Sequence, residues 1–131
     1  MSSRYVNPPG LPKAVGFSHM AVTPQGAAFL AGQTGHRPDG SLDQGIVDQF
    51  AQACRNVHLC LEAIGASSED LVSIQILVTD MSAYRMALSE LGVAYRGVFG
   101  KVFPPMSLIG VSELFDPEAV VELVAVAAVS S

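Results

Sequence analysis

The sequence predicts an α+β domain: a two-layer sandwich in which a mixed β-sheet carries two helices on one face, in the order β-β-α-β-α-β-β. Three observations predict it. The chain has 131 residues, 50% of them hydrophobic, which supports one domain over residues 1–131. A core of that size needs no disulfide or metal to staple it. Two stripes of helical period alternate with short apolar runs bounded by Gly and Pro. Each strand–helix–strand passage is expected to cross over right-handed, which lands both helices on the same side of the sheet.

Residues 1–13 are rich in Pro, Gly and Ser and read as an irregular arm with one edge strand near Arg4–Val6. Phe17–Val22 and Ala27–Ala31 are short apolar runs separated by Thr23-Pro24-Gln25-Gly26, a turn sequence that makes them a β-hairpin. Gly32–Gly40 is a polar loop. From Ile46 to Ile64 the apolar residues Ile46, Phe50, Ala53, Val57, Leu61 and Ile64 recur every three or four positions, the face of an amphipathic helix. Asp43 or Ser41 is placed to cap its start and Gly65 to end it. Leu71–Thr79 alternates as a half-buried strand. Asp80 or Ser82 caps a second helix carrying Leu88, Leu91, Ala94, Tyr95 and Val98, with Gly92 inside it. Pro104-Pro105 precedes a short strand, Met106–Val111, and Val120–Val129 is the last strand.

Composition excludes several functions. The net charge is −5, with only 15% of residues charged. Too few Lys and Arg remain to neutralise a nucleic-acid backbone or to hold an anionic membrane surface, so neither partner is expected. No apolar run is long enough to span a bilayer. Cys54 and Cys60, six apart in a helix, fall on different faces and read as small buried hydrophobes, which points to a reducing, cytoplasmic setting. The three histidines are scattered with no cysteine pair near them, and there is no GxGxxG, Walker A or GxSxG motif; neither a metal nor a cofactor is expected. So few charges on so small a domain imply that part of an apolar sheet face is covered by partner subunits.

Three constellations stand out. Gly16-Phe17-Ser18-His19 opens the first core strand; on spacing alone Phe17 is core and His19 a satisfied edge residue. Ala31-Gly32-Gln33-Thr34-Gly35 ends a strand with two glycines that permit a sharp exit or a close ligand approach. Phe103-Pro104-Pro105-Met106-Ser107 stiffens the entry to a strand and fixes where Met106 and Ser107 point.

Together with Phe29-Leu30-Ala31-Gly32-Gln33, Gln52–Val57, Ala63–Ala66, Glu69–Val72 and Val78–Met81, these segments resemble the RidA/YjgF family, the reactive intermediate deaminases long labelled endoribonuclease L-PSP. The resemblance covers about Gly16 to Ala128. It implies a chorismate-mutase-like fold and a homotrimer with small-molecule clefts between subunits. Active members hydrolyse enamines and imines to carbonyl compounds and ammonia. It also implies a strand arginine that grips the substrate carboxylate and a glutamate on the last strand that directs water. The chain departs from both: Met106 stands at the arginine position, and Val124 falls at the glutamate position, with Glu122 available on the same strand face after a shift in register. Phe17 stands where many members carry Tyr. Gly32, through its carbonyl, and the N–H of Leu108 after Ser107 carry over as ligand contacts.

The expected site is therefore Glu122 as the water-directing carboxylate, with Phe17, Gly32, Met106, Ser107, Leu108 and Val124 around a small ligand. His36 or Arg37 on the loop after Gln33 is the candidate replacement cation. The competing expectation is a ligand-binding or regulatory module that kept the trimer and lost the chemistry.

Overall fold

The computed structural model describes residues 1–129. Its strands are β1 Arg4–Val6, β2 Met20–Val22, β3 Ala27–Leu30, β4 Leu71–Val78, β5 Met106–Gly110 and β6 Val121–Ala128. Its helices are α1 Ile46–Ala63, α2 Met81–Met86 and α3 Leu88–Phe99, with a 3₁₀ turn at Ser68–Asp70. The strands form one sheet in the order β1-β2-β3-β6-β4-β5. Only β4 and β5 run parallel, as a helical crossover between them requires; every other pair is antiparallel. This is the α+β sandwich that the alternation of helical and strand periods predicts.

Strand parity divides the sheet into two faces. Ile74, Ile76 and Val78 of β4 and Val121, Leu123, Ala125 and Ala127 of β6 are buried on the helix side. They meet Phe50, Ala53, Val57 and Leu61 of α1, the stripe predicted from spacing, together with Leu91, Tyr95 and Phe99 of α3. Fully burying one Ile or Leu here stabilises the fold by about 1.5–3 kcal/mol. Gln75, Glu122, Val124 and Val126 project from the opposite face, which carries no layer of its own. At the sheet edge every residue of β5 is exposed, although it carries Met106, Leu108 and Ile109.

Several local expectations hold for the reasons given. Gly26 adopts φ +92° and its N–H reaches back to the Thr23 carbonyl at 3.1 Å, closing the β2–β3 turn. Gly65 adopts φ +69° just past α1. Asp80 caps α2, its Oδ1 accepting from the Ala83 N–H at 3.0 Å.

Three expectations are corrected. Neither Asp43 nor Ser41 caps α1; the position falls to Gly45, because the Asp43 carboxylate is taken by Arg37. The second helix is two pieces, α2 and α3, broken at Ala87. The strand expected from Phe17 begins only at Met20, since the His19 N–H is drawn to Asn7 Oδ1 at 2.8 Å rather than into the ladder. The reading of Cys54 and Cys60 as small buried hydrophobes holds: both are free and buried.

Candidate active site

The site grows from the exit of β3. After Leu30 the chain leaves the hairpin but stays beside β6: the Gln33 N–H donates to the Leu123 carbonyl at 2.7 Å and the Leu123 N–H returns the bond at 2.9 Å. This bridge sets Gly32 against Glu122. A Cβ on Gly32 would lie 2.5 Å from Glu122 Cδ and 2.7 Å and 2.9 Å from its two oxygens. Gly32 has no positive φ, so what the position demands is space. The glycine that reads as a permissive strand exit is the seat of a carboxylate.

Glu122 is half-buried, and burial pushes its carboxyl above the ordinary glutamate range. A carboxyl shifted this way holds its proton closer to neutral pH, which suits proton transfer to and from water. It borders a cavity of about 450 Å³ whose walls include Pro12, Lys13, Phe17, His19, Phe115 and Asp116.

The walls are held by polar contacts. His19 is buried, and its Nε2 donates to the Pro12 carbonyl at 2.7 Å, while Nδ1 accepts from Gln33 Nε2 at 3.2 Å. A carbonyl only accepts, so Nε2 carries a proton and both ring nitrogens have hydrogen-bond partners. Its ring also meets Phe17 edge-on, centroids 5.3 Å apart. On the far wall His36 Nε2 donates to Asp116 Oδ2 at 2.8 Å, and His36 Nδ1 lies 2.6 Å from Thr34 Oγ1. The Glu118 backbone N–H, with His36 second, holds the Asp116 carboxyl below its ordinary range. Asn56 of α1 fixes that loop by donating to both the Thr34 and His36 carbonyls, at 2.9 and 2.8 Å.

The expected site residues thus divide. Glu122, Gly32 and Phe17 share the cavity. Met106, Ser107 and Val124 gather instead around a separate depression of about 250 Å³ with Gln75. Val124 lies opposite Gln75, one pleat away from Gly32, so Glu122 is the carboxylate that the fold presents to the cavity. Leu108 of β5 pairs with Ile76 of β4 and is exposed. Arg37 lies outside the cavity, its guanidinium gripped by Asp43 in two parallel bonds of 2.8 and 2.9 Å. Sequence reasoning passed over Lys13, Phe115 and Asp116. Asp116 meets His36 across 80 residues, a distance no local pattern spans.

The molecule is an α+β sandwich with a half-buried carboxylate seated on a glycine beside a cavity. The family model described as Endoribonuclease L-PSP matches residues 10–129, and the chain belongs to that family, the RidA/YjgF proteins. A RutC family protein of Aquifex aeolicus is 34% identical over 94% of this chain and 98% of its own. A 2-iminobutanoate/2-iminopropanoate deaminase of Dermatophagoides farinae is 28% identical over 85% of each. The solved structure of YyfA, a Rid-family protein of Yersinia pestis, superimposes with a TM-score of 0.85 at 26% identity, covering 98% of this chain and 100% of that one. Among the described residues no helix is long and apolar enough to cross a membrane.

Proposed function

We propose that the protein is a homotrimer that binds small C=N metabolites in clefts between subunits and hydrolyses them to a carbonyl compound and ammonia. The observation that carries this reading is Glu122, a half-buried carboxylate with no ion-pair partner among the described residues, packed on Gly32 at the wall of the cavity. Its carboxylate takes a proton from a water as the oxygen adds to the imine carbon. Glu122 passes that proton to the nitrogen to give a carbinolamine, then takes the hydroxyl proton as C=O forms and the C–N bond breaks, and hands it to the departing ammonia. Water is consumed, one C=N bond becomes C=O, and no redox partner is required.

The trimer is supported by the uncovered sheet face and by β5, an exposed edge strand carrying Met106, Leu108 and Ile109. Such an edge invites pairing with another chain unless it is covered. The kinship with an iminobutanoate deaminase supports the chemistry. Net charge −5 argues against RNA as the substrate.

The test is to mix the protein with freshly generated 2-iminopropanoate or 2-aminoacrylate and follow loss of the imine, with light scattering on the same sample. Accelerated decay, abolished by Glu122→Gln, and a mass near 41 kDa, three times the 13.7 kDa chain, are expected. Decay at the buffer rate would refute the hydrolase. Decay at that rate with the trimer intact would favour the ligand-binding module instead, the reading suggested by Met106 at the arginine position.

A further inference from the structure

The cavity beside Glu122 carries a second set of reactive groups that imine hydrolysis leaves unused. Thr34, His36 and Asp116 line it and form an unbroken row: Thr34 Oγ1 lies 2.6 Å from His36 Nδ1, and His36 Nε2 lies 2.8 Å from Asp116 Oδ2. The carboxylate sets the direction of both bonds. It only accepts, so Nε2 carries a proton and donates; in the neutral ring Nδ1 is then the acceptor, and the Thr34 hydroxyl donates to it. A hydroxyl whose proton points at an imidazole, itself oriented by a carboxylate, is the arrangement that makes an alcohol a nucleophile. The two ring nitrogens exchange the places they hold in serine hydrolases, which the chemistry permits because either can be the base.

The row is fixed from three sides. Asn56 donates to the Thr34 and His36 carbonyls, and the neighbouring Gln33 N–H is tied to the Leu123 carbonyl of β6. The second oxygen of Asp116, Oδ1, accepts from the Glu118 N–H at 2.9 Å, which favours the ionised carboxylate. Two exposed rings, Phe17 and Phe115, stand on the same cavity and suit an apolar or aryl group. Lys13 adds a cation that enters no ion pair among the described residues.

We propose that this cavity has a second activity, the hydrolysis of small apolar or aryl esters through an acyl group carried on Thr34. Thr34 Oγ1 attacks the ester carbonyl carbon as its proton passes to His36 Nδ1, giving a tetrahedral oxyanion. Asp116 stabilises the imidazolium through Nε2–H, and Lys13 is the cation available to the oxyanion. The intermediate collapses, the ester C–O bond breaks, and the alcohol leaves with the proton from Nδ1. A water then adds to the acyl-threonine by the same proton path, releasing the carboxylic acid and restoring the hydroxyl. One water is consumed and no redox partner is required. The activity uses side chains that imine hydrolysis does not, so it stands or falls separately from that reading.

The test gives the intact protein two probes. One is 4-nitrophenyl butyrate, whose nitrophenolate is followed by absorbance. The other is an alkyl fluorophosphonate, which loses fluoride to an activated hydroxyl and leaves a stable phosphonyl ester that mass spectrometry places on a residue. Hydrolysis above the buffer rate and a phosphonyl group on Thr34 are expected. Thr34→Val should lower both rates by about 100-fold or more while its melting temperature stays near wild type, because the bond from His36 to Asp116 remains. Thr34→Ser should restore labelling, which a merely structural hydroxyl would not require. His36→Gln should lose labelling, whereas His58→Gln, on α1 outside the cavity, should match wild type. Wild-type hydrolysis at the buffer rate, hydrolysis unchanged in Thr34→Val, or modification of Lys13 alone would each overturn the proposal. Loss of imine hydrolysis with Thr34 labelling intact would leave it standing.

Discussion

Gly32→Ala probes the site at its closest contact. The added Cβ would stand 2.5 Å from Glu122 Cδ, where carbon atoms rest at about 3.5–4.0 Å, so the carboxyl must retreat by roughly 1 Å. The backbone cannot yield easily: Glu122 sits opposite Leu77 on β4, and its neighbour Leu123 exchanges two hydrogen bonds with Gln33. The side chain therefore turns toward the cavity. Overpacking costs about 1–3 kcal/mol, and an open cavity beside the carboxyl puts this case near 1 kcal/mol. In a domain of this size that is a fall in Tm of about 3–5 °C. The effect on chemistry is larger, because a 1 Å displacement of a reacting group can cost about 100-fold in rate. Thermal unfolding and imine hydrolysis on the same preparation read both numbers. Gly97→Ala, a helical position whose new Cβ meets nothing within 4 Å, serves as the control and should be as stable as wild type or more so. A Gly32→Ala protein with wild-type rate and wild-type Tm would refute the claim that Gly32 seats Glu122.

Three further outcomes are expected. Because burial raises the folded-state pKa of Glu122, its stabilising contribution is present below the unfolded value of about 4.3 and is lost as pH rises through the higher folded value. Glu122→Gln should thus be more stable than wild type at pH 7, with the two melting temperatures converging below about pH 4; a less stable variant at pH 7 would mean the carboxylate has a favourable partner. Asn56→Ala removes both donors to the Thr34 and His36 carbonyls and should cost at least about 1–3 kcal/mol in urea unfolding, with weaker ligand binding as the His36 wall loosens. The Cys54 and Cys60 thiols are pushed up to about 12 by burial, so alkylation of the native protein at pH 8 should run no faster than global unfolding; rapid labelling would mean that α1 opens on its own.

Periodicity carried most of the architecture. The α1 stripe, the β2–β3 turn at Gly26 and the Asp80 cap depend on residues a few positions apart, and local physics decides them wherever the chain folds. The errors came where a competing partner or a tertiary contact outbid the expected local one. Asp43 is a plausible helix cap by position, but a bidentate guanidinium from Arg37 is the stronger claim on its carboxylate. The break at Ala87 and the late start of β2 likewise answer to tertiary contacts rather than to propensity.

The candidate site shows the same division. Which residues could matter was readable from Gly16–His19, Ala31–Gly35 and Phe103–Ser107, because chemical type and spacing are local properties. Which of them meet was not. Strand parity left Glu122 and Val124 equivalent, since both project from one face of β6. Only the bridge between Gln33 and Leu123 selects Glu122, by laying a glycine against its carboxyl. The sequence by itself determined the domain, its two faces and the residues able to do chemistry. The tertiary structure alone decided that Asp116 meets His36 and that Glu122 shares a cavity with Phe17. Those facts depend on distances between residues far apart in the chain, and no local interaction sets them.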